Sequence, residues 1–149
     1  MINYFAYGSN INSDRMKERG INFISRKFGI LKDYKLVFNK IASRNPNEGY
    51  ANIIICKNSI VEGAIYEITD ESISLLDKYE SVPKHYYRKE VEIQDSNKLI
   101  KKCITYIANN SKITEGLKPS TDYLNHILKG KDLFTENYYN KLEKTNVYK

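Results

Sequence analysis

Two short stretches of the chain combine residue types that can do chemistry: Tyr7-Gly8-Ser9-Asn10 near the start, and Leu76-Asp77-Lys78-Tyr79-Glu80-Ser81 near the middle. The first closes an aromatic and apolar run, Asn3 to Tyr7, that suits a core strand, and Gly8-Ser9-Asn10 breaks that run as a turn. Gly8 lets a ligand approach the backbone closely. A strand feeding a tight polar turn and then a helix start leaves several backbone N–H groups facing one spot. That arrangement suits a carboxylate, a phosphate or a developing oxyanion. Taken alone, the pattern equally fits an ordinary surface turn. In the second stretch, Glu80 lies seven positions after Ile73 and four after Leu76, so a helix puts it on their inward-facing side. Desolvation of a carboxyl there raises its pKa toward the range useful for proton transfer. The alternative is a helix-terminal glutamate that reaches solvent. Asp77 shares nearly the same face, three residues earlier, but capping or a salt bridge to Lys78 or Arg88 suits it better than catalysis.

Positioning these groups requires a strand before the first stretch and a helix under the second. Asn12 or Ser13 caps a short helix over Asp14 to Arg19, ended by Gly20. Thr69 caps a helix over Asp70 to Glu80, with Asp70 and Glu71 in its first turn. Between them, Phe23 to Leu31 and Tyr34 to Phe38 read as strands separated by a turn at Lys32-Asp33. Asn45-Pro46-Asn47-Glu48-Gly49 is a loop signal, and Tyr50 to Cys56 with Ile60 to Ile68 reads as a hairpin about Lys57-Asn58-Ser59. Tyr86 to Ile93 and Leu99 to Ala108 are two further strands. Ser111 to Ser120 is a loop, and helices capped by Ser120 or Thr121 and by Thr135 end the chain. Strands dominate the first part and helices the last, which makes the class α+β. Periodicity leaves open sheet and closed barrel undecided. With no repeat and no linker, residues 1–149 read as one domain.

Composition narrows the function classes. The net charge of +6 is unevenly spread: residues 51–97 carry five basic and nine acidic side chains, so the excess lies in the two flanking parts. Lysines such as Lys98, Lys101 and Lys102 are scattered rather than gathered with aromatics on one face, which argues against nucleic acid as a partner and fits a solvated surface that attracts small anions. No apolar run approaches a membrane span and no signal peptide opens the chain, so no membrane partner and a cytoplasmic location are expected. Cys56 and Cys103 are isolated in apolar strands and read as buried, reduced thiols; His85 and His126 lack metal-ligand spacing. No cofactor or metal is expected.

Together, Tyr4-Phe5-Ala6-Tyr7-Gly8-Ser9-Asn10 and Leu76-Asp77-x-x-Glu80-x-Val82 resemble the γ-glutamylcyclotransferase family, over a span from Tyr4 to about Leu142. The resemblance implies a small mixed β-barrel with helices packed outside. It also implies conversion of γ-glutamyl amino acids or small γ-glutamyl compounds to 5-oxoproline and a free amine, by a monomer or homodimer. It makes Glu80 the general acid/base. Tyr7, Gly8, Ser9 and Asn10 become the substrate-binding turn, and Tyr86, Tyr106 and Tyr123 substrate-lining aromatics. Arg88, on the same strand face as Tyr86, could meet a substrate carboxylate or balance Glu90 or Glu92. The loop Ser111 to Ser120 is the expected leaving-group side. Two other functions remain open on this sequence: the same chemistry in a natural-product tailoring pathway, and a non-catalytic ligand-binding module. One departure is Ser81, where the family commonly has Gly, so either a strained Ser81 with positive φ or a re-routed turn is expected there.

Overall fold

The computed structural model describes residues 1–148. Five strands close into a barrel: β1 (Ile2–Ala6), β2 (Phe23–Ala42), β3 (Asn45–Ile68), β4 (Tyr86–Asp95) and β5 (Ile100–Ala108), in the order β1-β3-β2-β4-β5. Neighbours pair antiparallel except β1 and β5, which meet in parallel at Tyr4 and Ile104 and close the ring. Four helices accompany it: α1 (Ser13–Glu18), α2 (Asp70–Tyr79), α3 (Thr121–Leu128) and α4 (Glu136–Glu143). The class is α+β, with a closed mixed barrel.

β1 is the strand on which the barrel turns. It is short, but it pairs on both edges, and Tyr4, Phe5, Ala6 and Tyr7 are all buried. Gly63 of β3 lies under it, where a Cβ would come within 2.3 Å of the Ala6 carbonyl oxygen; no larger residue lets the two backbones approach so closely.

The middle of the chain differs from the pattern of short strands. β2 and β3 are continuous, and both halves of β3 pair with β2 rather than with each other. The signals at Lys32-Asp33 and Lys57-Asn58-Ser59 are real but face one another. Asp33 and Asn58 both have positive φ, and the Asp33 carboxylate accepts a hydrogen bond from the Asn58 N–H at 3.0 Å. Two local turn signals opposed across a ladder make an irregularity within one ribbon, where the register jumps between Lys32 and Tyr34. Likewise the turn between β2 and β3 is at Ser43-Arg44, and Asn45 to Gly49 belongs to β3, bulged where Ile41 pairs with Gly49 but Ala42 with Asn45. Cys103 is buried as expected, whereas Cys56, beside this irregularity, is only half-buried; neither forms a disulfide.

The helix ends follow their sequence signals. The Asn12 side chain accepts from the Asp14 N–H at the start of α1, and Gly20 ends that helix with φ +76°. At α2 the Thr69 hydroxyl accepts from the Ser72 N–H, while Ile73 and Leu76 face the core. Its C-terminus closes with the Ser81 N–H on the Lys78 carbonyl and the Val82 N–H on that of Asp77, the two bonds that need a left-handed residue between them. Ser81 supplies it at φ +52°, and a cis Val82–Pro83 bond follows. A side chain in that conformation costs roughly 1 kcal/mol, partly offset by glycine's greater freedom in the unfolded chain. Ser81→Gly is therefore expected to stabilise the fold by about 0.5–1 kcal/mol in urea titration.

Candidate active site

The end of β1, the first turn of helix after it, and the end of α2 converge on a cavity of about 230 Å³. The turn residues Ser9–Ile11 form one turn of 3₁₀ helix, opened by bonds from the Ile11 N–H to the Gly8 carbonyl and from the Asn12 N–H to that of Ser9. The opening N–H groups of such a turn have no acceptor within it. Barrel side chains grip its other side: the Tyr66 hydroxyl donates to the Asn10 carbonyl at 2.8 Å, and Arg26 donates to that of Ile11 at 2.7 Å. The turn is thus fixed from beneath by β2 and β3.

Glu80 is the C-cap of α2. Its carboxylate accepts from the Asn10 side-chain amide at 3.4 Å, an amide that also donates to the Tyr4 hydroxyl at 3.0 Å. Arg19 in turn donates to the Asn10 side-chain oxygen at 2.9 Å, with its guanidinium 4.8 Å from the centre of the Tyr79 ring. Asn10 therefore cannot swing without breaking three contacts, and it presents its N–H edge to Glu80. Burial pushes the Glu80 carboxyl above the ordinary value of 4.5, opposed in turn by the charges of Arg19, Arg15 and Lys40.

The residues given catalytic or substrate-binding roles by the resemblance line this one cavity: Tyr7, Gly8, Ser9, Asn10, Glu80, Tyr86, Tyr106 and Tyr123. The tyrosine hydroxyls, however, are engaged by protein. Tyr86 donates to the Ala51 carbonyl at 3.0 Å, Tyr123 accepts from the Ala51 N–H at 3.0 Å, Tyr7 donates to the Tyr106 carbonyl at 2.5 Å, and Tyr106 donates to Asp77 at 2.6 Å. Tyr7, Tyr86 and Tyr106 thus offer a ligand chiefly ring surface, whereas Tyr123, which only accepts, keeps its hydroxyl proton for another acceptor. At Gly8 a Cβ would meet the Ala51 methyl at 3.1 Å, so the turn packs directly on β3.

Asp77 and Arg88 form a forked ion pair, Nε to Oδ1 at 2.9 Å and Nη2 to Oδ2 at 2.5 Å, and neither lines the cavity. Burial lifts the Asp77 carboxyl, but the bonds from Arg88 and Tyr106 outweigh it and leave the pKa below its ordinary value. This pair braces α2 against β4 and β5.

The loop before α3 does not line the cavity. It is held behind the β2–β3 turn, with the Thr114 N–H on the Asn39 carbonyl and the Gly49 N–H on that of Lys118. The walls there come instead from Lys40, Ser43 and Tyr50, with His85 from the segment before β4. Arg15, Arg19 and Lys40 are the lining cations that the sequence reading did not single out. The signal available for Arg15 and Arg19 was their spacing of four on α1, which sets both on one helix face. Lys40 gave none, because its burial depends on closure of the barrel. Among the described residues, no group of three or more His, Cys, Asp or Glu is gathered closely enough to hold a metal ion, and no helix is long and apolar enough to cross a membrane.

Comparison with known proteins bears on the family and the fold. Residues 4–125 match the family model described as gamma-glutamyl cyclotransferase, AIG2-like. The gamma-glutamylcyclotransferase of Mus musculus is 30% identical over 132 residues, covering 85% of this chain and 68% of that protein. The Bos taurus protein of the same name is 29% identical over 133 residues, with the same coverage. A solved gamma-glutamyl cyclotransferase structure superposes with a TM-score of 0.85 at 26% identity, over 99% of this chain and 89% of that one. The chain belongs to the gamma-glutamyl cyclotransferase, AIG2-like family.

Proposed function

We propose that this cavity converts a small γ-glutamyl compound, such as a γ-glutamyl amino acid, to 5-oxoproline and a free amine, with Glu80 as the general base and then the general acid. The observation that carries this reading is the contact between the Glu80 carboxylate and the Asn10 side chain, which joins a proton acceptor of raised pKa to the polar turn.

The reaction is an aminolysis within one molecule. A substrate bound in its curled form holds its α-amino nitrogen near its own γ-carbonyl carbon, and that preorganisation supplies much of the acceleration. Glu80 takes a proton from the α-ammonium. The freed amine adds to the γ-carbonyl, and the oxygen takes up the negative charge. Protonated Glu80 then delivers its proton to the leaving nitrogen as the γ-carbon–nitrogen bond breaks and the carbonyl re-forms. The ring nitrogen of the adduct still holds two protons, and the regenerated Glu80 carboxylate takes one of them and passes it to the departing amine, so both protons lost by the α-ammonium end on the amine and no covalent bond to the enzyme is made. Backbone N–H groups of Gly8, Ser9 and Asn10 serve the substrate carboxylate or the oxyanion. The raised pKa of Glu80 helps the first step, because an α-ammonium with a pKa of about 7.7–8.0 transfers its proton less readily to a carboxylate at its ordinary value.

Glu80→Gln tests the assignment. It keeps the shape and the contact to Asn10 but removes the basic site, so 5-oxoproline release should fall by at least about 100-fold while a glutamyl analogue still binds. Abolished binding would make Glu80 an anchor rather than a base. In the native enzyme, activity requires ionised Glu80. The acid limb of kcat/KM should therefore lie above pH 4.5, displaced in the direction of the burial shift, and should vanish from the residual activity of the variant. Asp77→Asn serves as the contrast. Loss of the pair with Arg88 should destabilise the fold by about 1–2 kcal/mol, discounted for its partial exposure. Turnover should stay within roughly tenfold of the native rate, because Asp77 does not reach the cavity. A loss as large as that of Glu80→Gln would move the base role to Asp77.

A further inference from the structure

Lys40 is 2% exposed, yet among the described residues no carboxylate stands within salt-bridge distance of its ammonium. One N–H donates to the adjoining Ile41 carbonyl at 2.7 Å. The rings of Tyr50 and Tyr86 face the ammonium, each with its centre 5.6 Å away. An ammonium carries three donors, so two remain for something that enters the cavity it lines. Burying an ammonium with one neutral acceptor and two aromatic faces is costly, and an anion completing its shell would relieve that cost. Burial accordingly pulls its pKa down, against the opposing charge of Glu80.

The position of Lys40 selects which anion. On the reading proposed above, the substrate ammonium meets Glu80, and the α-carboxylate sits on the same carbon as that ammonium. This end of the substrate therefore belongs to the wall made by the Gly8–Asn10 turn and α1, where Asn10 connects Glu80 to Arg19. Arg15, one helical turn before Arg19, supplies that wall with a second guanidinium, whose Nε is buried without a hydrogen-bond acceptor. Lys40 comes from β2, next to the β2–β3 turn, and no hydrogen bond joins it to the Gly8–Asn10 turn or to α1. It thus enters the cavity from a different element than the Gly8–Asn10 turn and α1, which leaves it available to the other end of the ligand. We propose that Lys40 is a specificity-determining residue that binds a carboxylate on the leaving group, so the enzyme favours γ-glutamyl amino acids over γ-glutamyl amines.

Two matched pairs of probes test this. The first compares 5-oxoproline release from γ-glutamyl-alanine and γ-glutamyl-ethylamide, which differ in the leaving-group carboxylate. The second compares binding of glutaryl-alanine and glutaryl-ethylamide by calorimetry. These lack the α-amino nucleophile and cannot cyclise, so they report on Lys40 whether or not the chemistry proposed above is right. A hydrogen-bonded charge contact predicts that the native protein prefers the carboxylate-bearing member of each pair by about 10- to 100-fold. In Lys40→Met, and in Lys40→Gln as a second replacement with a polar tip, that ratio should fall to within about threefold of unity, while Lys40→Arg should retain part of it. An absence of preference in the native protein overturns the assignment without any variant. So does a ratio that survives in Lys40→Met, which would make Lys40 a ligand of the glutamyl end or a packing element. Absence of 5-oxoproline from the native protein, with the binding preference intact, would instead defeat the proposed reaction and leave the role of Lys40 standing.

Discussion

The site depends on the partial burial of one carboxyl group. Glu80 sits at the C-terminal end of α2, where the helix dipole already disfavours negative charge, and burial disfavours it further. Three cations, Arg19, Arg15 and Lys40, oppose both effects. The balance leaves the carboxyl above its ordinary pKa, so it holds a proton more readily than an exposed glutamate does. Asn10 stands between the two sides. It hydrogen-bonds Glu80 while its oxygen is held by Arg19, so positive charge reaches the carboxylate through a neutral amide rather than through a direct ion pair.

The barrel exists, in functional terms, to hold that balance still. β1 pairs with β3 on one edge and β5 on the other, which fixes where the turn after it emerges. Tyr66 and Arg26 then bind the turn's carbonyls, and Tyr86 and Tyr123 both bind the backbone of Ala51. Several tyrosine tips around the cavity are thereby held by protein. The lining groups left with unmet hydrogen-bonding capacity include the buried ammonium of Lys40 and the Nε of Arg15. Such a lining suits a small anionic ligand.

The parts of this arrangement legible in the sequence are those set by local rules. The aromatic run into Gly8-Ser9-Asn10, the Thr69 cap, the spacing of Ile73, Leu76 and Glu80, and the left-handed Ser81 each follow from a few adjacent residues. The long β2–β3 ribbon was hidden for the same reason. Asp33 and Asn58 each look like the centre of a turn, and only their pairing across the ladder makes them one irregularity in continuous strands. Loop residues 111–120 appeared free to border the pocket, but hydrogen bonds to Asn39 and Gly49 draw them behind the β2–β3 turn. Lys40 shows the limit most plainly. A lysine between Asn39 and Ile41 in a strand reads as surface, and only closure of the barrel under Tyr50 and Tyr86 makes it a buried cation.

The central claim is that the nucleophile is the substrate's own amine, and the identity of the product tests it most directly. A γ-glutamyl amino acid turned over in heavy-oxygen water should give 5-oxoproline and the free amino acid in equal amounts, with no label in either, because no water attacks the γ-carbonyl. Release of glutamate labelled in its γ-carboxylate would contradict the account, since it would make the cavity a hydrolase in which Glu80 activates water.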